Sequence, residues 1–199
     1  MKAAHPSRAR TRLVAIPFVA IPFAAVLVAG LAACSAPGTS APGMSASSGP
    51  RAMAPLQAKS GSKVGGSVWF SQQGANVRVV ARVTGLMPNQ EHGFHVHETG
   101  DCSAPDAMSA GGHFNPGGQP HGPQSAPHHG GDMPSLKADA NGNAEATFMM
   151  EGVTVDTGAA GVMGKAVIVH TQPDDYKTQP TGNAGGRIAC GLIARAPGT

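Results

Sequence analysis

The chain is poor in aromatic residues and in charge. Of its 199 residues one is Trp, one Tyr and six Phe, and 13% are charged. No run of Lys and Arg interleaved with aromatics occurs, so the electrostatic footprint of a nucleic-acid-binding protein is missing. Long helical periodicity and internal repeats are also missing, so neither a helical nor a repeat architecture is expected. Acidic residues are absent from the first 33 positions, which hold Lys2, Arg8, Arg10 and Arg12. The chain has 14 Lys+Arg and 11 Asp+Glu, so the part after residue 33 has 10 basic against 11 acidic residues, net −1. The formal charge of +3 belongs to the leader. An unbroken apolar run is lacking too: Leu13 to Ala33 is mostly apolar, but Pro17, Pro22 and Gly30 interrupt it. A charged front, an apolar middle and small residues at the end make an export signal rather than a membrane span.

The leader ends in Leu31-Ala32-Ala33-Cys34, which resembles the bacterial lipobox. Cys34 is then the lipidation site, and the lipid ties the exported protein to a membrane in the periplasm or cell envelope. Ordinary signal cleavage beside an incidental Cys is the alternative. Residues 35–53 are rich in Ser, Ala, Pro and Gly and lack the apolar content to fold. The division expected is an export signal with lipobox at 1–33, a flexible tether at 34–53, and one folded domain at 54–199. Two further cysteines remain, Cys102 and Cys190. In an oxidising compartment they form either one bridge or two free buried thiols.

Within the folded part, period-two alternation dominates. In 76–83, Val77, Val79, Ala81 and Val83 share one face, and Arg78 and Arg82 the other. Residues 64–71 read as its hairpin partner, turning through 72–75. Further strands are expected at 93–98, 136–138, 144–149, 165–170 and 187–194, with 56–59 as a first one. Asn141-Gly142 is a strong turn signal between two of them. The fold class expected is all-β: an eight-stranded antiparallel Greek-key sandwich or flattened barrel. Two long connections, about 99–133 and 171–186, are polar and rich in Gly and Pro, and loops of that length are usually functional or disordered.

Nine residues are His, and eight of them lie after position 91. His95-Val96-His97 would put both rings on one face of a strand. His113, His121, His128, His129 and Asp132 lie within twenty residues of loop. They suit a tetrahedral zinc site or, equally, a solvated His-rich loop. His170 ends an apolar strand and alone would be read as a core histidine. Taken together the donors suffice for two ions only if one ring is shared. Copper suits an all-imidazole site, and zinc one that includes a carboxylate.

Six segments carry a family resemblance. They are Gly93-Phe94-His95-Val96-His97, Gly100-Asp101-Cys102, Gly112-His113-Phe114-Asn115-Pro116, His129-Gly130-Gly131-Asp132, Val169-His170 and Gly186-Arg187-Ile188-Ala189-Cys190-Gly191. In order and spacing this resembles the copper,zinc superoxide dismutase family over about 60–195. The resemblance implies one copper and one zinc per subunit. Copper would sit on His95, His97, His113 and His170, and zinc on His113, His121, His129 and Asp132. It further implies a Cys102–Cys190 disulfide, and Asp174 hydrogen-bonding ligands of both metals. His92 matches a framework histidine. The implied reaction turns two superoxide anions and two protons into O₂ and H₂O₂. Arg187 attracts the anion, and His113 passes a proton to the departing peroxide.

The segment after His170 is short and contains Asp174-Asp175-Tyr176-Lys177, which looks like bacterial members of the family. Steering charges and the dimer surface of long-loop relatives do not carry over, which leaves a homodimer open. Of the doubled His128-His129, the spacing to Asp132 favours His129 as ligand. The alternative function is a non-enzymatic copper-delivery or metal-buffering module of the same fold. All seven ligand positions and Arg187 are filled, which argues against it. A zinc-only hydrolase needs an open zinc position, and four ligands close this one.

Overall fold

A computed structural model describes residues 49–198; the expected signal and Cys34 lie outside them. The strands are β1 Arg51–Ala58, β2 Gly65–Gln73, β3 Asn76–Thr84, β4 Glu91–His92, β5 Phe94–His97, β6 Leu136–Lys137, β7 Ala144–Met150, β8 Ala166–His170, β9 Arg187–Leu192 and β10 Ala194–Arg195. Eight of them form one curled antiparallel sheet in the order β5-β8-β9-β1-β2-β3-β7, with β10 also pairing β1, while β4 and β6 pair separately. The spatial order β9-β1-β2-β3 places a returning strand beside the first of a three-strand meander, which is a Greek key. Among the described residues the only helical element is one 3-10 turn, Met108–Ala110.

Alternation explains most of this. Val77, Val79, Ala81 and Val83 of β3 are buried and face the interior with Val68 and Phe70 of β2. The β2–β3 hairpin turns through Gly74-Ala75, with Gly74 at φ +61°, and pairs Gln73 with Asn76. β8 is buried at all five positions, as a strand covered on both faces must be. Val167 and Val169 join the main core, and Ala166 and Ile168 join a smaller cluster with Ala107, Ala110 and Cys190. β5 divides its side chains likewise. Phe94 and Val96 pack in the core, so period two turns His95 and His97 the other way.

Three expected boundaries differ. β1 begins at Arg51, inside the span read as tether, because Ala52 and Ala54 alternate inward with Leu56. The Asn141-Gly142 turn forms, with Asp139 N donating to Asn143 O at 2.8 Å, but the strands it joins do not pair with each other. β6 pairs β4 and β7 pairs β3, matching Ala144, Ala146 and Phe148 with Val83, Ala81 and Val79. The last strand breaks at Ile193, whose side chain is buried and whose backbone exchanges hydrogen bonds with Gly164 and Lys165.

The long connection between β5 and β6 is anchored at both ends. Cys102 is bonded to Cys190 of β9, 88 residues away. Closing that span removes chain entropy worth about 4–5 kcal/mol from the unfolded state. Farther along, Phe114 N donates to Val96 O at 2.8 Å, and Val96 N to Gly131 O at 2.8 Å. Gly131 lies so close that a Cβ there would stand 2.3 Å from Val96 O. The loop is thereby laid against the histidine-bearing side of β5.

Candidate metal centre

Four buried rings converge on that side: His95 and His97 from β5, His113 from the loop and His170 from the end of β8. His97 Nδ1 donates to Gly111 O at 2.9 Å, and His170 Nδ1 to Gly185 O at 3.1 Å. A carbonyl can only accept, so these nitrogens carry the ring hydrogens and each Nε2 is left with a lone pair. His95 Nε2 donates to Asp174 Oδ2 at 2.7 Å, which leaves Nδ1 as its free nitrogen. The inward atoms are then His95 Nδ1, His97 Nε2, His113 Nε2 and His170 Nε2. Each is buried with no hydrogen-bond partner. An unpartnered buried polar atom costs about 1–3 kcal/mol. Four of them pointing into one region fit a cation that accepts nitrogen donors.

His95, His97 and His170 are also held neutral, as metal ligands must be. Burial, with His113 beside it, outweighs the Asp174 hydrogen bond and draws His95 down to about 4. Burial and the neighbouring His95 bring His170 down to about 3. His97 is pushed lower still, first by burial and then by His113.

His113 belongs to a second donor set as well, with His121, His129 and Asp132. Its Nδ1 lies 2.9 Å from Asp132 Oδ1 and 3.4 Å from His129 Nδ1. His129 Nδ1 is 3.3 Å from Asp132 Oδ1, and His121 Nδ1 is 3.0 Å from Asp132 Oδ2. Zinc–nitrogen bonds of ~2.0 Å in a tetrahedron set donors ~3.3 Å apart. The observed spacings bracket that value. The His121 approach lacks hydrogen-bond geometry, and its Nδ1 has no partner although buried. Asp132 is fixed by His129 N at 2.9 Å and Gly122 N at 3.2 Å, both donating to Oδ2. Burial alone would raise its carboxyl, but His113 and His121 hold it well below the usual range.

Asp174 ties the sets together. Its Oδ2 accepts from His95 and its Oδ1 from His121 Nε2 at 2.9 Å. These three atoms are near enough to hold an ion themselves. Two ring hydrogens already occupy the carboxylate, however, so they act as a bridge. For His121, burial opposes the charged form, yet Asp132 and Asp174 on either side carry its pKa up to about 9.

Arg187 opens β9 and is half-buried. Its Nη1 donates to Ala107 O at 2.8 Å and its Nη2 to Gly111 O at 2.7 Å. Gly111 O therefore holds both the arginine and the His97 ring. With His97, His170, Ser60 and Asp106, Arg187 lines a cleft of about 370 Å³. His128 stands outside both sets, its Nδ1 2.7 Å from Ala126 O, and His129 takes the inward place. Buried His92 donates Nδ1 to His170 O at 2.8 Å and supports that strand end. The carbonyls of Gly111 and Gly185, which orient two rings, have no sequence signature. Gly182 left a weak one, as a glycine in a long loop. A Cβ there would stand 1.8 Å from Asp174 Oδ1 and 2.5 Å from His121 Nε2.

The chain is similar to several known proteins. The family model described as copper/zinc superoxide dismutase (SODC) matches residues 64–193. Superoxide dismutase [Cu-Zn] 2 of Aquifex aeolicus (strain VF5) is 39% identical over 150 residues, 72% of this chain and 86% of the relative. A superoxide dismutase [Cu-Zn] of Paramecium bursaria Chlorella virus 1 is 39% identical over 140 residues, 67% of this chain and 74% of its own. Among solved structures, the clock protein EA4 is 36% identical with a TM-score of 0.67, over 74% of this chain and 96% of its own. A SOD-like protein from Bacillus subtilis is 34% identical with a TM-score of 0.63, over 70% and 95%.

The His121 charge predicts how the second donor set takes up zinc. Below about 9 the metal-free ring holds a proton that zinc must displace. Apparent zinc affinity should rise about tenfold per pH unit from pH 7 and level off above about 9. Titration calorimetry in buffers of different ionisation enthalpy should find about one proton released at pH 7. A pH-independent affinity would show that His121 is not a ligand.

Proposed function

The chain belongs to the copper/zinc superoxide dismutase family, and from that membership we propose an exported enzyme that converts superoxide to O₂ and hydrogen peroxide at the cell envelope. Copper is assigned to His95, His97, His113 and His170, and zinc to His113, His121, His129 and Asp132. The observation that carries this reading is the set of four partnerless imidazole nitrogens beside an arginine-lined cleft. When bound, copper supplies a one-electron carrier and zinc, which has no redox chemistry, holds the loop and its charge.

The chain's own residues do the rest. Arg187 keeps its positive charge at the cleft, with two of its N–H groups spent on carbonyls and the remainder available to a small anion. The two carbonyls hold the guanidinium in place, so an arriving superoxide meets a charge that need not reorganise. His113 Nε2 lies among the copper-side donors and is the atom placed to hold a proton and return it to the leaving peroxide. Asp132 beside its Nδ1 keeps that ring oriented meanwhile. Two superoxide anions and two protons balance one O₂ and one H₂O₂.

Export and anchoring rest on the leader and on Cys34. β1 starts at Arg51, so at most 16 residues, 35–50, separate an acylated Cys34 from the folded domain. Superoxide is charged and crosses membranes poorly, which suits an enzyme held where external superoxide arrives.

Two experiments check these assignments. In superoxide decay measured with metal content, His95→Ala should lose copper and nearly all activity. Arg187→Ala should keep both metals while kcat/KM falls about tenfold and loses much of its salt dependence. Wild-type protein that holds copper without speeding decay would instead mark a delivery or buffering module. For anchoring, Cys34→Ser should move the protein from the membrane fraction to the soluble one; an unchanged distribution would refute the lipid anchor.

A further inference from the structure

We propose that the short loop between β8 and β9 is a clasp on the zinc-side ligand loop, with Gln179 and Tyr176 as its positioning residues. The inference rests on the ligand assignment above, His121 in particular. Gln179 grips the peptide of His121 with both ends of its amide. Its Oε1 accepts from His121 N at 2.8 Å, and its Nε2 donates to His121 O at 2.8 Å. The same loop holds the His121 ring through Asp174, so this one ligand is fixed at backbone and side chain together.

Tyr176 acts at the other end of the ligand stretch. Its hydroxyl accepts from Ser135 N at 2.7 Å and donates to Ser135 Oγ at 3.1 Å. Ser135 stands three residues beyond Asp132, so His121 and Ser135 bracket His129 and Asp132. The clasp is itself braced. Asp174 Oδ1 accepts from Tyr176 N at 2.7 Å, and Asp175 Oδ1 accepts from Lys177 N and Thr178 N at 2.9 and 2.8 Å.

Apolar burial does not account for this arrangement. Of residues 171–186 only Ala184 is a buried hydrophobic. The loop is held by polar contacts, several at the surface, which open more readily than a packed core. Release of an ion enclosed by His121, His129 and Asp132 requires that stretch to lift, and the clasp resists lifting at both ends. Outer contacts of this kind typically change metal affinity 10–100-fold.

The test uses the full chain loaded with both metals, with zinc release followed into a competing chelator. Gln179→Ala should release zinc about tenfold faster, with copper release and the melting temperature of the metal-free chain unchanged. Gln179→Glu keeps the acceptor for His121 N but loses the donor to His121 O, and should fall between. Tyr176→Phe should speed release to a smaller degree. Cobalt(II) in the zinc position should show altered visible bands in Gln179→Ala, a signature that a purely structural role would not move. Zinc release at the wild-type rate with unchanged bands would overturn the clasp. So would copper and zinc release rising together with a lowered melting temperature of the metal-free chain. A His121→Ala arm separates the two claims. If that variant binds zinc as wild type does, the ligand assignment fails. If it does not, and Gln179→Ala is still indistinguishable from wild type, only the clasp fails.

Discussion

Each ring assigned to copper has its outer nitrogen tied to something that fixes it, and the centre depends on this. Gly111 O, Gly185 O and Asp174 take the ring hydrogens of His97, His170 and His95. Asp132 stands 2.9 Å from the outer nitrogen of His113. Those acceptors set tautomer and orientation, while burial outweighs them and keeps His95, His97 and His170 neutral. The inward lone pairs are therefore in place before any ion arrives, and the fold bears the cost of leaving them unpartnered. Strand periodicity makes this affordable: β5 packs Phe94 and Val96 into the core and thereby places His95 and His97 side by side on its other face.

The site is polar and sits outside the main apolar core, so other devices hold it. Backbone bonds at Val96 lay the ligand loop on β5, and the Cys102–Cys190 bridge ties the start of the same connection to β9. β9 also carries Arg187, whose guanidinium is fixed by Ala107 and Gly111 on the bridged loop. The disulfide thus bears on both stability and chemistry. Asp174 links the two donor sets, since its two oxygens accept from His95 and from His121.

Much of this was legible in the sequence, for reasons that can be named. Alternation at 76–83 marked β3, and His-x-His on a strand marked a shared face. The spacing to Asp132 favoured His129 over His128, and His129 is the one that stands with His113, His121 and Asp132. What was not legible lay in the backbone or in tertiary pairing. Carbonyl acceptors at Gly111 and Gly185 leave no trace in residue type. β6 pairs β4 rather than its sequence neighbour β7, because a turn signal specifies the turn and not the partners of the strands it joins. The Ala- and Pro-containing start of β1 has the composition of a tether, yet small side chains at Ala52 and Ala54 fill the interior as well as large ones elsewhere. Gln179 reads as an ordinary loop residue until His121 is placed against it.

His113 belongs to both donor sets, so it would be shared by the two ions, Nε2 toward one and Nδ1 toward the other. Electron paramagnetic resonance of the copper(II) protein, with cobalt(II) in the second site, addresses it most directly. A shared imidazole couples the two ions, so the copper signal should be largely lost when cobalt enters and should return in His113→Ala carrying both ions. A full copper signal in the doubly loaded wild-type chain would contradict the bridge and with it the account of the centre.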